Sequence, residues 1–128
     1  MAKYVDGFVF PVPKKNEKTY LKMARDGAKA WKKFGALAYF ECAGDDLKPK
    51  GLDGKPLPNS FGKMTGATAS EKVWFSFIVY KSRAHRDAVN RKVMAYFAKK
   101  YAGQEKAMPM PFDVKKMAYG GFKVAIET

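Results

Sequence analysis

The stretch Val73-Trp74-Phe75-Ser76-Phe77-Ile78-Val79-Tyr80 decides the fold. Apart from Ser76 it is all aromatic and β-branched, the composition of a strand. Successive side chains of a strand point to opposite faces. Val73, Phe75, Phe77 and Val79 therefore share one face, and Trp74, Ser76, Ile78 and Tyr80 the other. An antiparallel strand with one wet face alternates apolar and polar residues. This one does not, so both faces of its sheet require cover.

Working outward, Ser82 is placed to cap a helix over about 83–101, in which Val89, Val93, Tyr96 and Phe97 share a stripe. On the N-terminal side, residues 44–70 form a long loop rich in Gly, Pro, Lys, Asp, Ser and Thr. Asp53-Gly54 and Pro58-Asn59-Ser60 are its turn signals, and a short extra strand is expected near 60–64. Before the loop, residues 36–43 read as a strand. Residues 17–34 read as a helix whose inner face carries Tyr20, Met23, Ala24, Gly27, Trp31 and Phe34, with Asn16 as its N-cap. Residues 4–12 read as the first strand, with Tyr4, Phe8, Phe10 and Val12 on one face and Val5 and Val9 on the other. The last strand is expected over 116–127. Its Gly120-Gly121 pair predicts a bulge or a close backbone approach. Before it, Met108-Pro109-Met110-Pro111 reads as a connector.

The order is βαββαβ, so the fold class is α+β and ferredoxin-like: one antiparallel sheet with two helices on one face. The 128 residues make a single domain, 1–128, large enough to fold without a staple. Two helices cover one face of the sheet. A second copy of the same sheet is the economical cover for the other, so a homodimer paired through the sheet face is expected.

The net charge is +13, from 25 basic and 12 acidic residues. Such a charge concentrates polyanions near the surface and leaves the fold undetermined. Lys3, Asp6, Lys14, Lys15 and Glu17 interrupt any apolar stretch in the first twenty residues, so no secretory signal is expected. No apolar run approaches the ~20 residues of a membrane helix. A cytoplasmic protein without a membrane partner is the expectation. One Cys and one His cannot build a closed zinc site, so no metal is expected, and no phosphate-binding glycine loop or other cofactor motif is present.

Several stretches together resemble the YbaA-like family of small bacterial proteins, a domain-of-unknown-function family. They are Tyr4-Val5-Asp6-Gly7-Phe8-Val9, Glu41-Cys42, and the run from Tyr80 through Ser82-Arg83-Ala84-His85-Arg86-Asp87-Ala88-Val89-Asn90. Met110-Pro111-Phe112-Asp113 and Tyr119-Gly120-Gly121-Phe122 complete the set. The resemblance runs nearly end to end. It implies a dimeric α/β-barrel fold, in which two such sheets pack face to face, and it implies no activity.

Polar residues inside apolar strands are the candidates for chemistry. Asp6 and Glu41 interrupt their strands, and a buried carboxyl either finds partners or takes up a proton. Both are candidate catalytic acid/base groups, with structural pairing to Arg83, Arg86 or a strand lysine as the alternative. His85, in the first turn of the second helix, is the third catalytic candidate; the alternative is a helix-start histidine bonded to backbone. Arg83, Ser76, Trp74, Tyr80 and Trp31 are candidate ligand-binding residues of a pocket between sheet and helices, with plain core as the alternative for the aromatics. Cys42 is expected to be buried and inert. The basic stripe Lys18, Lys22, Arg25, Lys29 and Lys32 either tracks phosphates or is a solvated face.

The leading expectation is a small-molecule-binding homodimer, whose enzymatic form would be a cofactor-free oxygenase- or isomerase-like enzyme acting on an aromatic or acidic compound. The alternatives are a module that binds nucleic acid or another polyanion through its basic surface, and a structural or regulatory dimer without a ligand.

Overall fold

The computed structural model describes residues 2–104 and 110–128. Of the Met108–Pro111 connector expectation, residues 108 and 109 lie outside them. Four strands form one sheet: β1 Tyr4–Pro13, β2 Ala38–Ala43, β3 Glu71–Tyr80 and β4 Ala118–Lys123. Their order is β2-β3-β1-β4, antiparallel throughout. The helices are α1 Glu17–Lys33, the short α2 Phe61–Thr65 and α3 Arg83–Lys100. No helix among the described residues is long and apolar enough to cross a membrane.

The pairing register fixes which side chains share a face. Tyr4, Asp6, Phe8, Phe10 and Val12 of β1 stand opposite Tyr80, Ile78, Ser76, Trp74 and Lys72 of β3. On this face the two long helices pack. One apolar cluster joins Tyr4, Ile78 and Tyr80 to Ala30 of α1 and to Val89 and Val93 of α3. A second joins Phe10, Val12 and Trp74 to Tyr20, Ala24 and Phe112. Phe8 packs against both clusters. The stripe of α1 differs by one residue from expectation, since Ala30 is buried and Met23 is exposed.

The opposite face is open over much of its area. Phe40, Phe75 and Phe122 are exposed there, and Phe122 is 63% so. Phe77 stacks on Phe40 at 4.7 Å and on Phe75 at 5.4 Å, forming an aromatic ladder. The loop 44–70 covers the other end of this face. Leu47 and Phe61 close, with Val9, Cys42, Val73 and Phe75, around a cavity of about 170 Å³.

Two local expectations are corrected, and a third is resolved between its alternatives. Near residues 60–64 there is no strand but the α2 turn: the Ser60 hydroxyl accepts from the Lys63 N–H at 3.1 Å, and Gly66, at φ +66°, supplies the left-handed stop. The last strand spans Ala118–Lys123 only. Asp113 accepts from the Lys115 N–H and winds Val114–Lys116 into a 3-10 turn. The Gly120-Gly121 pair causes no bulge, since Gly7 opposes Gly120 and Asp6 opposes Gly121 in an unbroken ladder. It is a close approach instead: a Cβ on Gly121 would overlap the Tyr4 hydroxyl and ring.

Two smaller corrections follow. Asn16 does not cap α1 with its side chain; its Nδ2 donates to the Pro111 carbonyl at 2.9 Å, tying the connector to the helix start. Cys42 is exposed, because alternation along β2 turns it to the open face, opposite Phe75 in register.

Candidate functional site

Register sets the polar residues of the helix-facing side in two rows. Glu41, Ser76, Phe8 and Tyr119 run across the sheet in one row. Tyr39, Ile78, Asp6 and Gly121 run in the next. The two carboxylates stand two strands apart, about 10 Å by strand spacing alone, so they are separate centres.

Asp6 is an ion-pair centre. Its Oδ1 accepts from Arg86 Nη1 at 2.5 Å, and the two side chains are 1% and 13% exposed. The same nitrogen donates to the Tyr119 hydroxyl at 3.1 Å, while Arg86 Nε donates to Asp87 at 2.7 Å. The guanidinium also lies 4.9 Å from the ring centroid of Tyr4. Burial opposes the Arg86 charge, and the Asp87 and Asp6 carboxylates outweigh it. Arg86, one turn into α3, holds this position; Arg83 is exposed and joins none of the described ion pairs.

Glu41 is built differently. No cation pairs with it among the described residues. Instead Tyr20 of α1 donates to its Oε2 at 2.5 Å and Tyr39 of β2 to its Oε1 at 2.8 Å. Burial pushes the Glu41 carboxyl above the usual range, against the pull of the two phenol hydrogen bonds. Burial and then the carboxylate push both phenols well up, so they remain donors. Gly27 leaves room for this arrangement, since its Cβ would sit 3.4 Å from the Tyr39 hydroxyl.

Ser76 faces Glu41 directly across the β2–β3 ladder and is buried. Trp74, two residues along the same face, is 4% exposed and packs against Tyr20 at 5.1 Å. Its indole Nε1–H is buried with no hydrogen-bond partner. Trp31 and Tyr80 meet elsewhere: both donate at 3.1 Å to Asn90 Oδ1. An indole N–H only donates, so the amide oxygen must face it. The Asn90 amide nitrogen is thereby turned away, and Asn90 lines an open depression on α3 with Asp87, Arg91 and Met94.

His85 sits at the start of α3, where its backbone N–H meets the Ser82 hydroxyl at 3.1 Å. Its Nδ1 accepts from the Lys81 N–H at 3.0 Å. That bond places the His85 ring at the helix start rather than on either carboxylate. The structure thus brings Glu41, Ser76 and Trp74 together under Tyr20, groups Trp31 with Tyr80, and leaves Arg83 and His85 apart from both carboxylates. Arg86 is one of the pairing partners that the sequence offers for Asp6, whereas Tyr20 and Asn90 are organising residues that spacing left without a polar role, because each acts on a partner from another element.

The four-stranded order with both long helices on one side defines a ferredoxin-like α+β protein. A solved dimeric ferredoxin-like protein from an uncultured marine organism shares this fold, with a TM-score of 0.56 at 11% identity and each chain covered in full. The chain belongs to the family described as Protein of unknown function (DUF1428), which matches residues 3–114. It is 42% identical over 125 residues to uncharacterized protein YbaA of Escherichia coli strain K12, covering 98% of both chains. The YbaA protein of Shigella flexneri matches to the same extent.

Proposed function

We propose that the protein is a homodimer that handles a small organic molecule by acid–base chemistry at Glu41. The contrast between the two carboxyls carries this reading. Asp6 has a buried cation and satisfies the structural alternative. Glu41 has none, and burial holds its carboxyl toward the protonated form at the rim of the sheet, on an edge strand. A carboxyl kept buried without a counter-ion weakens the fold, and such groups concentrate where proton transfer is needed. Two phenols orient it, and Ser76 and the unpartnered Trp74 indole stand beside it as further polar contacts for a ligand. Such a group gives its proton to a substrate as a general acid or, once ionised, takes one as a stronger base than an ordinary carboxylate.

The homodimer is supported by the aromatic ladder on the open face and by the dimeric fold relative. The experiment is a thermal-shift screen of aromatic and acidic metabolites against wild type and Glu41→Gln. A ligand that binds only the native state raises Tm. Compounds that raise Tm of the wild type, and lose that effect or their turnover in Glu41→Gln, support the reading. A library without a single stabilising compound, or compounds handled equally by both proteins, removes it.

A further inference from the structure

We propose that the outer face of α1 and α3 binds single-stranded nucleic acid. The observation is where the unpaired charge lies. Among the described residues, the ion-paired cations are Lys3, Lys72, Lys116 and Arg86. Lys18, Lys22, Arg25, Lys29 and Lys32 of α1 pair with no carboxylate and are all exposed. The same holds for Arg91, Lys92, Lys99 and Lys100 of α3. Of the helix acids, Glu17 is taken by Lys72 and Asp87 by Arg86, which leaves Asp26 alone against this array. A face serving solubility alone mixes both signs.

The geometry is that of a track. The α1 cations recur at steps of four and three, so they form one stripe. At 1.5 Å per residue, Lys18 to Lys32 spans about 21 Å, long enough for several phosphates.

At its end the two helices converge on one ring. Lys33 Nζ lies 5.0 Å and Lys100 Nζ 5.7 Å from the Tyr96 centroid. Lys100 is also 5.4 Å from the Tyr101 ring. Lys33 and Lys100 both gather on the Tyr96 ring, neither is ion-paired among the described residues, and Asp26 is the one carboxylate near enough to favour the Lys100 charge, so together they form a notch for a phosphate. The half-buried Tyr96 and Tyr101 beside it offer surface on which a base stacks. Basic tracks with interleaved aromatics suit single strands, whose bases are free to stack. The helices lie opposite the aromatic ladder, so this surface stays open when sheets pair.

The test is fluorescence anisotropy with a labelled dT20 oligonucleotide at 50 and 200 mM NaCl, using the full chain. Four phosphate contacts on a single strand give a log–log salt slope near −3, so affinity should fall about 50-fold over that range. Lys33→Glu/Lys100→Glu and Lys22→Glu/Lys29→Glu should each weaken binding at least tenfold and flatten the slope. Lys48→Glu/Lys55→Glu, an equal charge change in the exposed loop, should leave it within twofold. Circular-dichroism melts confirm that each variant folds. The proposal is overturned by no binding at 50 mM, by equal losses in the loop control, or by a 20-base-pair duplex or heparin binding as tightly as dT20.

Discussion

Asp6 and Arg86, eighty residues apart in sequence, form a nearly dry ion pair between the centre of the sheet and the first turns of α3. Removing one partner of such a pair strands the other, which costs about 3–5 kcal/mol. Arg86→Met leaves the more deeply buried Asp6 alone, whereas Asp6→Asn leaves Arg86 its contact with the exposed Asp87. Denaturant titration should therefore find Arg86→Met the more damaging of the two. The reverse order would show that Asp6 is not held chiefly by Arg86.

Glu41 predicts a pH signature in the stability of the fold. Its folded-state pKa is raised, so its contribution to stability is present below the ordinary carboxyl range and is lost as pH rises through the raised value. Glu41→Gln abolishes that loss. The stability of wild type minus that of Glu41→Gln should fall between about pH 4 and neutrality, with the variant at least as stable at pH 7. A difference that stays flat or rises over this range contradicts a raised carboxyl.

Gly121 is predicted to resist even the smallest side chain. The Cβ of Gly121→Ala would meet the Tyr4 ring, against which Arg86 also packs. Overpacking of this kind costs typically 1–3 kcal/mol. Gly120→Ala, with only the Phe122 ring at 3.7 Å, should cost less. Thermal melts of the two variants provide the comparison, and equal Tm values would show that β4 yields freely.

The open face predicts the assembly. Static light scattering at micromolar concentration should give twice the 14.4 kDa chain mass. Phe75→Glu, on an exposed central-strand position, should return the single-chain mass with its circular-dichroism spectrum retained. Wild type running at the single-chain mass would remove the pairing.

Much of this architecture was legible in residues whose neighbours are local or in register. The two-faced reading of residues 73–80 gave both the helix-covered and the open side of the sheet. Ser82 was legible as a cap because its partner, the His85 N–H, is three residues away. Asp6 was legible as a carboxyl in need of a partner, but the choice of Arg86 depends on the rotation of α3 against the sheet, which periodicity leaves open by one turn. Glu41 is held by Tyr20 from a helix that crosses over β2, a contact set by packing and not by spacing. The α2 turn stands where a short strand is expected near 60–64. Ser60 and Gly66, at its two ends, were the better signals.

The exposed position of Cys42 gives the protein a built-in reporter. The chain holds one thiol, and it stands exposed on the face away from the helices, opposite Phe75 and at the margin of the cavity under the loop 44–70. Maleimide labelling will therefore be fast in dilute solution and protected at concentrations where chains meet, which turns a single alkylation rate into a readout of association.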